Sequence, residues 1–378
     1  MELTISKKEF VRSLARTHSV ADRKSSMPIL SNILLSAEDK KTLRFAATDL
    51  YLSVTSTTPA NIASAGTIAL SARTLFDIAK SLPEGDVSLK VIDNHAAEIR
   101  SGRVRFKIPG MPGNDFPPLP SPGNAEFAEL VAEDLGGLIA LTQYSMSSDE
   151  TRPHLSGALI EGDGKLVRMV TTDGHRLSKA EYKQQGSGRM LNFEMLVPSK
   201  GVSELKRMID ESKGSQPKGE EKPVTLHVAK AGGSAFFRHD DVLLSVKLAD
   251  EQFPPYSKVI PKQHSRRVVI ARTRLTEALK RISLVANDKS GAVRFEVSEG
   301  LVRITSENPE VGEGSEELDV DFAGEAVEIG FNVRYLLDAL AALTEDEVAL
   351  ELGGQLDPGV VKPVGATDYI GVIMPMRI

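Results

Sequence analysis

The sequence predicts an α+β protein built from three tandem domains of one topology. Three observations carry this expectation: a segment pattern that occurs three times, apolar stripes at helical spacing around each occurrence, and a proline-rich phrase that closes the first two repeats.

The repeated pattern has two halves. In the first instance Ser31-Asn32-Ile33-Leu34 leads into Leu43-Arg44-Phe45-Ala46-Ala47-Thr48-Asp49. In the second, Ser156-Gly157-Ala158-Leu159 leads into Val167-Arg168-Met169-Val170-Thr171-Thr172-Asp173. The third runs from Ser290-Gly291-Ala292-Val293 to Val302-Arg303-Ile304-Thr305-Ser306-Glu307-Asn308. Serine to arginine is 13, 12 and 13 residues, and arginine to the closing Asp or Asn is five each time. Apolar and polar residues alternate about turns such as Glu161-Gly162-Asp163-Gly164, the signature of a half-buried β-hairpin.

A helix is expected before each hairpin, where Phe10, Val11 and Leu14, then Leu135, Leu138 and Ile139, then Leu275, Ala278, Leu279, Ile282 and Val285 each form one apolar stripe. A second helix is expected about thirty residues after each hairpin's second strand begins, at Leu75-Phe76-Asp77-Ile78, Val202-Ser203-Glu204-Leu205 and Leu336-Leu337-Asp338-Ala339. Phe116-Pro117-Pro118-Leu119 and Phe253-Pro254-Pro255-Tyr256 mark boundaries, because proline excludes a central strand or a helix interior. The expected domains are therefore 1–125, 126–253 and 254–378, each ordered helix, hairpin, helix, then strands. A period near 125 residues lets each repeat bury its own core, unlike a short-repeat solenoid. Residues 212–223, rich in Gly, Pro and Lys, read as a flexible loop.

Composition narrows the functional classes. The chain has 378 residues, 41% apolar and 26% charged, the balance of a globular protein of several domains. It has no cysteine, which excludes disulfides, thiolate zinc sites and cysteine nucleophiles. No run approaches the eighteen apolar residues of a membrane-spanning helix, and the expected location is the cytoplasm.

The formal charge of -6 argues against a simple basic nucleic-acid binder, yet the charge is unevenly placed. The six expected helices, at 6–19, 71–82, 133–146, 199–213, 271–287 and 332–343, hold 15 Lys or Arg against 9 Asp or Glu. That is a net +6, so the rest of the chain carries -12. Lys7, Lys8, Arg12 and Arg16 crowd the first helix; Arg272, Arg274, Lys280 and Arg281 crowd the fifth. Helices of this kind suit non-specific, salt-sensitive phosphate contact. They equally suit surface helices that carry cations for solubility, and charge alone does not separate the two.

Asp173-Gly174-His175 has the residue types of a histidine base oriented by a carboxylate. The other repeats hold Asp49 and Asn308 in the same place without a histidine two residues on, so turn hydrogen bonding is the favoured reading. His239-Asp240-Asp241 reads as a hairpin turn, since adjacent strand side chains point to opposite faces and seldom share a metal ion. The chain lacks G-x-x-x-x-G-K-[ST], H-E-x-x-H and G-x-S-x-G patterns. No catalytic residue, metal or cofactor is expected.

Five phrases in order along the chain closely resemble the bacterial DNA polymerase III beta subunit (beta sliding clamp) family. They are Met27-Pro28-Ile29-Leu30-Ser31-Asn32-Ile33-Leu34-Leu35, Thr172-Asp173-Gly174-His175-Arg176-Leu177, Phe253-Pro254-Pro255-Tyr256, Phe331-Asn332-Val333-Arg334-Tyr335-Leu336 and Met374-Pro375-Met376-Arg377-Ile378. The resemblance implies a non-catalytic processivity factor: a head-to-tail homodimeric ring, helices lining its hole and sheets outside, that encircles duplex DNA. Its implied partners are the replicative polymerase, the clamp loader and repair polymerases, which dock short, partly hydrophobic peptides. By motif, that peptide pocket would use Leu155, Thr172, Gly174, His175, Arg176 and Leu177, with Pro254, Lys258 and Val259, and Ile373, Met374, Pro375, Met376 and Arg377. Unbranched methionine would give an adaptable floor and the arginines would hold polar groups at the rim. The methionines equally fit a buried final strand, and a pocket floor is also core. Lys24, Arg152 and Lys200 are the implied DNA contacts, with Arg73 and Arg272 added on charge. Lys24 and Lys258 stand where the family often has arginine, and Pro153-His154 where it often has aromatic residues. A monomeric scaffold that binds only proteins is the alternative.

Overall fold

Each repeat opens with a short strand that the helical stripe conceals in the sequence. In the computed structural model, which describes residues 1–22, 25–92, 95–184, 191–214, 223–262, 264–365 and 368–377, these strands run straight into the first helix of the repeat. Most of the loop expected at 212–223 lies outside the described residues.

Repeat one consists of β1 (Glu2–Ser6), α1 (Lys7–Thr17), β2 (Asn32–Ala37), β3 (Thr42–Thr48), β4 (Leu52–Pro59), β5 (Asn61–Ser64), β6 (Gly66–Ser71), α2 (Ala72–Ser81), β7 (Asp86–Ile92), β8 (Ala96–Ser101) and β9 (Val104–Pro112). Repeat two has β10 (Ala128–Val131), α3 (Ala132–Thr142), β11 (Gly157–Gly164), β12 (Leu166–Thr172), β13 (Arg176–Lys183), β14 (Leu191–Pro198), α4 (Ser199–Gly214), β15 (Thr225–Ala231), β16 (Ser234–His239) and β17 (Val242–Lys247). Repeat three has β18 (Arg266–Ala271), α5 (Arg272–Ile282), β19 (Ala292–Ser298), β20 (Leu301–Asn308), β21 (Gly312–Asp319), β22 (Val327–Asn332), α6 (Val333–Ala342), β23 (Glu347–Leu352), β24 (Gly359–Pro363) and β25 (Tyr369–Ile373).

The expected hairpins are β2–β3, β11–β12 and β19–β20, each extended by a third strand. Asp163 pairs with Leu166, so the tight turn is Gly164-Lys165, two residues later than the Gly-rich phrase indicates. Gly164, at φ 64°, supplies the left-handed residue there. Local chemistry fixes the helix starts. Ser6 accepts from the Glu9 N–H at 3.3 Å, with Glu9 three residues on as in a capping box. Asn332 caps α6 through the Arg334 N–H at 2.9 Å. Phe10 and Leu14 on α1 are fully buried beside Phe45, and Leu275 and Leu279 on α5 are equally buried.

Two compact units contain these elements: Met1–Ala132 with Ser203–Leu248, and Glu133–Val202 with the chain from Ala249. In the first unit the strands run β10-β15-β16-β17-β4-β3-β2-β6-β9-β8-β7-β1-β5. The last strand of repeat two thus pairs antiparallel with the third hairpin strand of repeat one, Val242 opposite Ser56 and Val246 opposite Leu52. In the second unit the order β14-β11-β12-β13-β25-β24-β23-β18 repeats that join, with β25 of repeat three on β13 of repeat two. A separate sheet, β21-β20-β19-β22, completes repeat three. Among the described residues no helix is long and apolar enough to cross a membrane.

Candidate partner-peptide site and basic surface

The turn between β12 and β13 is built by its own side chains. Asp173 Oδ1 accepts from the N–H groups of His175 at 2.9 Å and Arg176 at 3.0 Å, and Thr172 Oγ1 accepts from Gly174 at 3.1 Å. Gly174 sits at φ 92°, which side chains rarely adopt. Asp49 does the same for Tyr51 and Leu52 at 2.9 and 2.6 Å, and Asn308 for Glu310 at 3.0 Å. Turn formation thus explains the acid or amide found at this place in all three repeats. His175 lays its ring on Tyr335 at 6.3 Å between centroids, and the second Asp173 oxygen is taken by Arg176 Nε at 3.0 Å.

Arg176 is the most constrained cation of this region. Its guanidinium lies between Tyr144 (5.3 Å) and Tyr335 (4.6 Å) and donates to Asp338 at 2.6 Å. Burial works against the charge, but the Asp338 and Asp173 carboxylates outweigh it, so the Arg176 pKa is raised. Arg176 therefore braces the end of β13 and is not free at a rim. Directly opposite it on β25 is buried Ile373, and the next residue, Met374, donates its N–H to the His175 carbonyl at 2.9 Å.

Leu177 points to the other face, as strand alternation requires. There it joins Leu159, Val170, Leu196, Phe253 and Val372, with Tyr256 and Ile260 packed against them. Tyr256 donates to Glu161 at 2.8 Å and accepts from Arg168 at 3.2 Å. Burial, and then the Glu161 carboxylate, push its phenol up to about 12.

The expected pocket residues thus fall into groups. Thr172, Gly174, His175, Arg176, Ile373 and Met374 meet at the β13–β25 strand ends. Leu177 meets the Phe253–Tyr256 segment on the opposite face, with Pro254 half-buried between those aromatics and Lys258 and Val259 exposed on the following turn. Leu155 is buried, its N–H donating to the Arg152 carbonyl at 2.9 Å. Met374 is 38% exposed, Pro375 and Met376 are half-buried, and Arg377 is exposed. Met376 is fixed by its N–H to Gly330 at 2.8 Å. The sequence reading did not assign Tyr144, Tyr335 or Asp338 to the site, although Tyr335 stands in the phrase from Phe331 to Leu336 and Asp338 is the acid repeated in the second helix of each domain.

The expected DNA contacts differ in how available they are. Lys24 lies outside the described residues. Arg73 on α2 is 72% exposed, 3.7 Å from Asp77, and Lys200 is exposed near the start of α4. Arg152 pairs with Asp149 at 3.2 Å and donates to the Asp173 carbonyl at 3.3 Å, beside the candidate peptide site. Arg272 is half-buried and donates to the Glu345 carbonyl at 2.7 Å. Part of the helical charge is structural: Lys7 pairs with Glu84 and Arg16 with Asp241, both at 2.9 Å.

Known proteins give this arrangement a family. Residues 1–120, 129–255 and 257–377 match the models of the N-terminal, central and C-terminal domains of the DNA polymerase III beta subunit. A beta sliding clamp of Vibrio cholerae is 34% identical over 379 residues, covering all of both chains. The crystal structure of the beta subunit from Pseudomonas aeruginosa superposes with a TM-score of 0.93 at 31% identity, over all of both chains. A sliding clamp from the same organism bound to griselimycin gives 0.91 at 31% identity, with the same full coverage. With a matching model for each of its three domains and full-length relatives above 30% identity, the chain belongs to the DNA polymerase III beta subunit (beta sliding clamp) family, whose members are non-catalytic processivity factors in DNA replication.

Proposed function

We propose that two copies of this chain close head to tail into a ring around duplex DNA and slide on it without reading sequence. Its domains fall at 1–125, 126–253 and 254–378. The observation that carries the ring is a join used twice within the chain and left open once. The last strand of repeat two adds to β4, and the last strand of repeat three adds to β13. The remaining members of this series are the outer edge of β9 at Val104–Ile108 and the outer edge of β21, neither of which has a partner strand among the described residues. Their charges are complementary: Arg103, Arg105 and Lys107 lie in or next to β9, and Glu313, Glu316, Glu317 and Asp319 lie in β21. A heterologous contact of this kind closes when the rotation per copy permits.

Arg73, Lys200, Arg152, Arg272 and Lys24 are the proposed phosphate contacts, transient and salt-sensitive. Arg73 and Lys200, exposed on helices, are the best placed. The polymerase, the clamp loader and repair polymerases dock short apolar peptides on the group formed by Leu155, Thr172–Leu177, Pro254, Lys258, Val259 and Ile373–Arg377. Exposed Met374 and Val259 support this reading, as large apolar side chains left in water. The proposed location is the cytoplasm.

The experiment is topological. The chain is loaded on nicked circular plasmid with a clamp loader, and the plasmid is then cut. A ring runs off the new ends, whereas retention on linear DNA at the level seen on circles would refute closure.

A further inference from the structure

The repeats place one structural position in three chemical settings, and repeat one leaves it unfilled. In repeat two the hairpin arginine, Arg168, is held by Glu181 at 2.8 Å and Glu161 at 3.3 Å. In repeat three Arg303 is held by Glu317 at 2.7 Å and Glu296 at 3.3 Å. The corresponding Arg44 has Ser36 and Thr57 across its ladders, at the positions those carboxylates occupy. It is exposed, and among the described residues no carboxylate pairs with it. Glu38, the one acid among the described residues that line the adjacent space, takes the Ser36 hydroxyl at 3.0 Å.

That space is a cavity of about 430 Å³, walled by Leu34, Arg44, Ala46, Leu243 and the run from Phe116 to Pro122. On its wall Ala46 stands at the ladder position that Val170 holds in the packed cluster of repeat two. Leu119 stands where Tyr256, in repeat two, reaches both Arg168 and Glu161 with its hydroxyl. Neither the apolar volume nor the cation is therefore satisfied from within the repeat. Pro117, Pro118, Pro120 and Pro122 make the outer wall stiff and deprive it of N–H donors, so it recognises by shape.

We propose that this cavity is a second docking site, for a partner peptide that carries a carboxylate beside a bulky apolar side chain. The carboxylate takes the Arg44 guanidinium, for which bidentate pairing is the favoured geometry. The apolar side chain fills the volume between Leu34, Phe116 and Leu243. The site lies wholly within the first compact unit, whereas the Gly174–Leu177 turn belongs to the second, and it does not depend on ring closure.

The test uses the full chain with labelled methyl groups, titrated with N-acetyl-leucyl-phenylalanine and with its C-terminal amide. The free acid should give saturable shifts at the methyls of Leu34, Ala46, Leu119 and Leu243. Amidation of the ligand, or Arg44→Gln, should weaken binding about fivefold, and Ala46→Leu should abolish it by filling the cavity. Arg44 is exposed, so its replacement leaves the fold intact and its readout clean. Absence of saturable shifts at these methyls, shifts confined to the Leu177 and Val372 cluster, or an affinity indifferent to both amidation and Arg44→Gln would each overturn the assignment.

Discussion

On α1 the side chain of Arg16 is 8% exposed, and its Nη1 meets both Asp241 oxygens at 2.9 Å. The sequence shows Arg16 as one of four cations crowding a helix, because its partner is 225 residues away and hidden in a turn motif. That turn was legible: His239 pairs with Val242 across Asp240, which is left-handed at φ 48°. The ion pair was not. Arg16→Met should cost about 2 kcal/mol, less than the ~3–5 kcal/mol of a fully buried pair, because Asp241 keeps partial solvent and the Ser56 hydroxyl. An unchanged urea midpoint would show the pair to be idle. Glu181 gives a pH-dependent counterpart. Burial raises its pKa, but hydrogen bonds from Lys179 and Arg168 more than compensate and leave it lowered. A depressed carboxyl stabilises above its unfolded pKa and loses that contribution as pH falls through its folded value. Glu181→Gln should therefore destabilise at neutral pH, and the deficit should close once pH drops below the ordinary glutamate range. Denaturant midpoints across that range test it; a constant deficit refutes it. At the peptide site, Met374→Ala with Met376→Ala should weaken binding of a polymerase-derived peptide at least tenfold while leaving the light-scattering mass unchanged, since the Met376 backbone bond to Gly330 survives the change. Unchanged affinity in a peptide titration would remove the methionines from the site.

Among elements, the helices and the first two strands of each hairpin were legible because their stripes and alternation are strong. The opening strands β1, β10 and β18 were not, since four to six residues running directly into a helix give no separate period. β21 was hidden for a different reason. Its sequence, GEGSEELD, has one apolar residue, as expected of a strand left at an edge in a single chain. Its function becomes testable through register. In the two internal joins Leu243 faces Thr55 and Ile370 faces Lys179, equivalent places on the third hairpin strand. Carried to the open edges, this register would set Arg105 opposite Ser315 and Lys107 opposite Glu313 across the proposed dimer. The chain has no cysteine, so Arg105→Cys with Ser315→Cys should yield a covalent closed dimer on mild oxidation, read on a non-reducing gel. Moving one cysteine two residues along, to Glu317, should reduce the yield sharply, and equal yields would discard the register. Arg103→Glu with Arg105→Glu should shift the light-scattering mass toward one chain.

For the whole molecule, the repeats seen in sequence and the units seen in space do not coincide, and the difference has a physical cause. Repeat two contributes β10 and β15–β17 to the first unit and β11–β14 to the second, because each of its two sheets is completed by a neighbour's strand. Hydrophobic periodicity marks where a core face lies but not which chain segment finishes the ladder, so joins between distant segments are invisible to it. Residues 129–255, although matched by a single domain model, should then behave poorly alone. Excision strips β4 from β17 and β25 from β13, leaving two long edges of unpaired N–H and C=O groups. The isolated fragment should associate at micromolar concentration and exchange the outward amides of β13 and β17 quickly. A fragment of residues 1–255 should protect β17, and one of residues 129–377 should protect β13. Size-exclusion with hydrogen exchange decides the matter: a monomeric 129–255 fragment with both edges as protected as in the full chain would mean that each repeat is self-sufficient and that the joins add no stability.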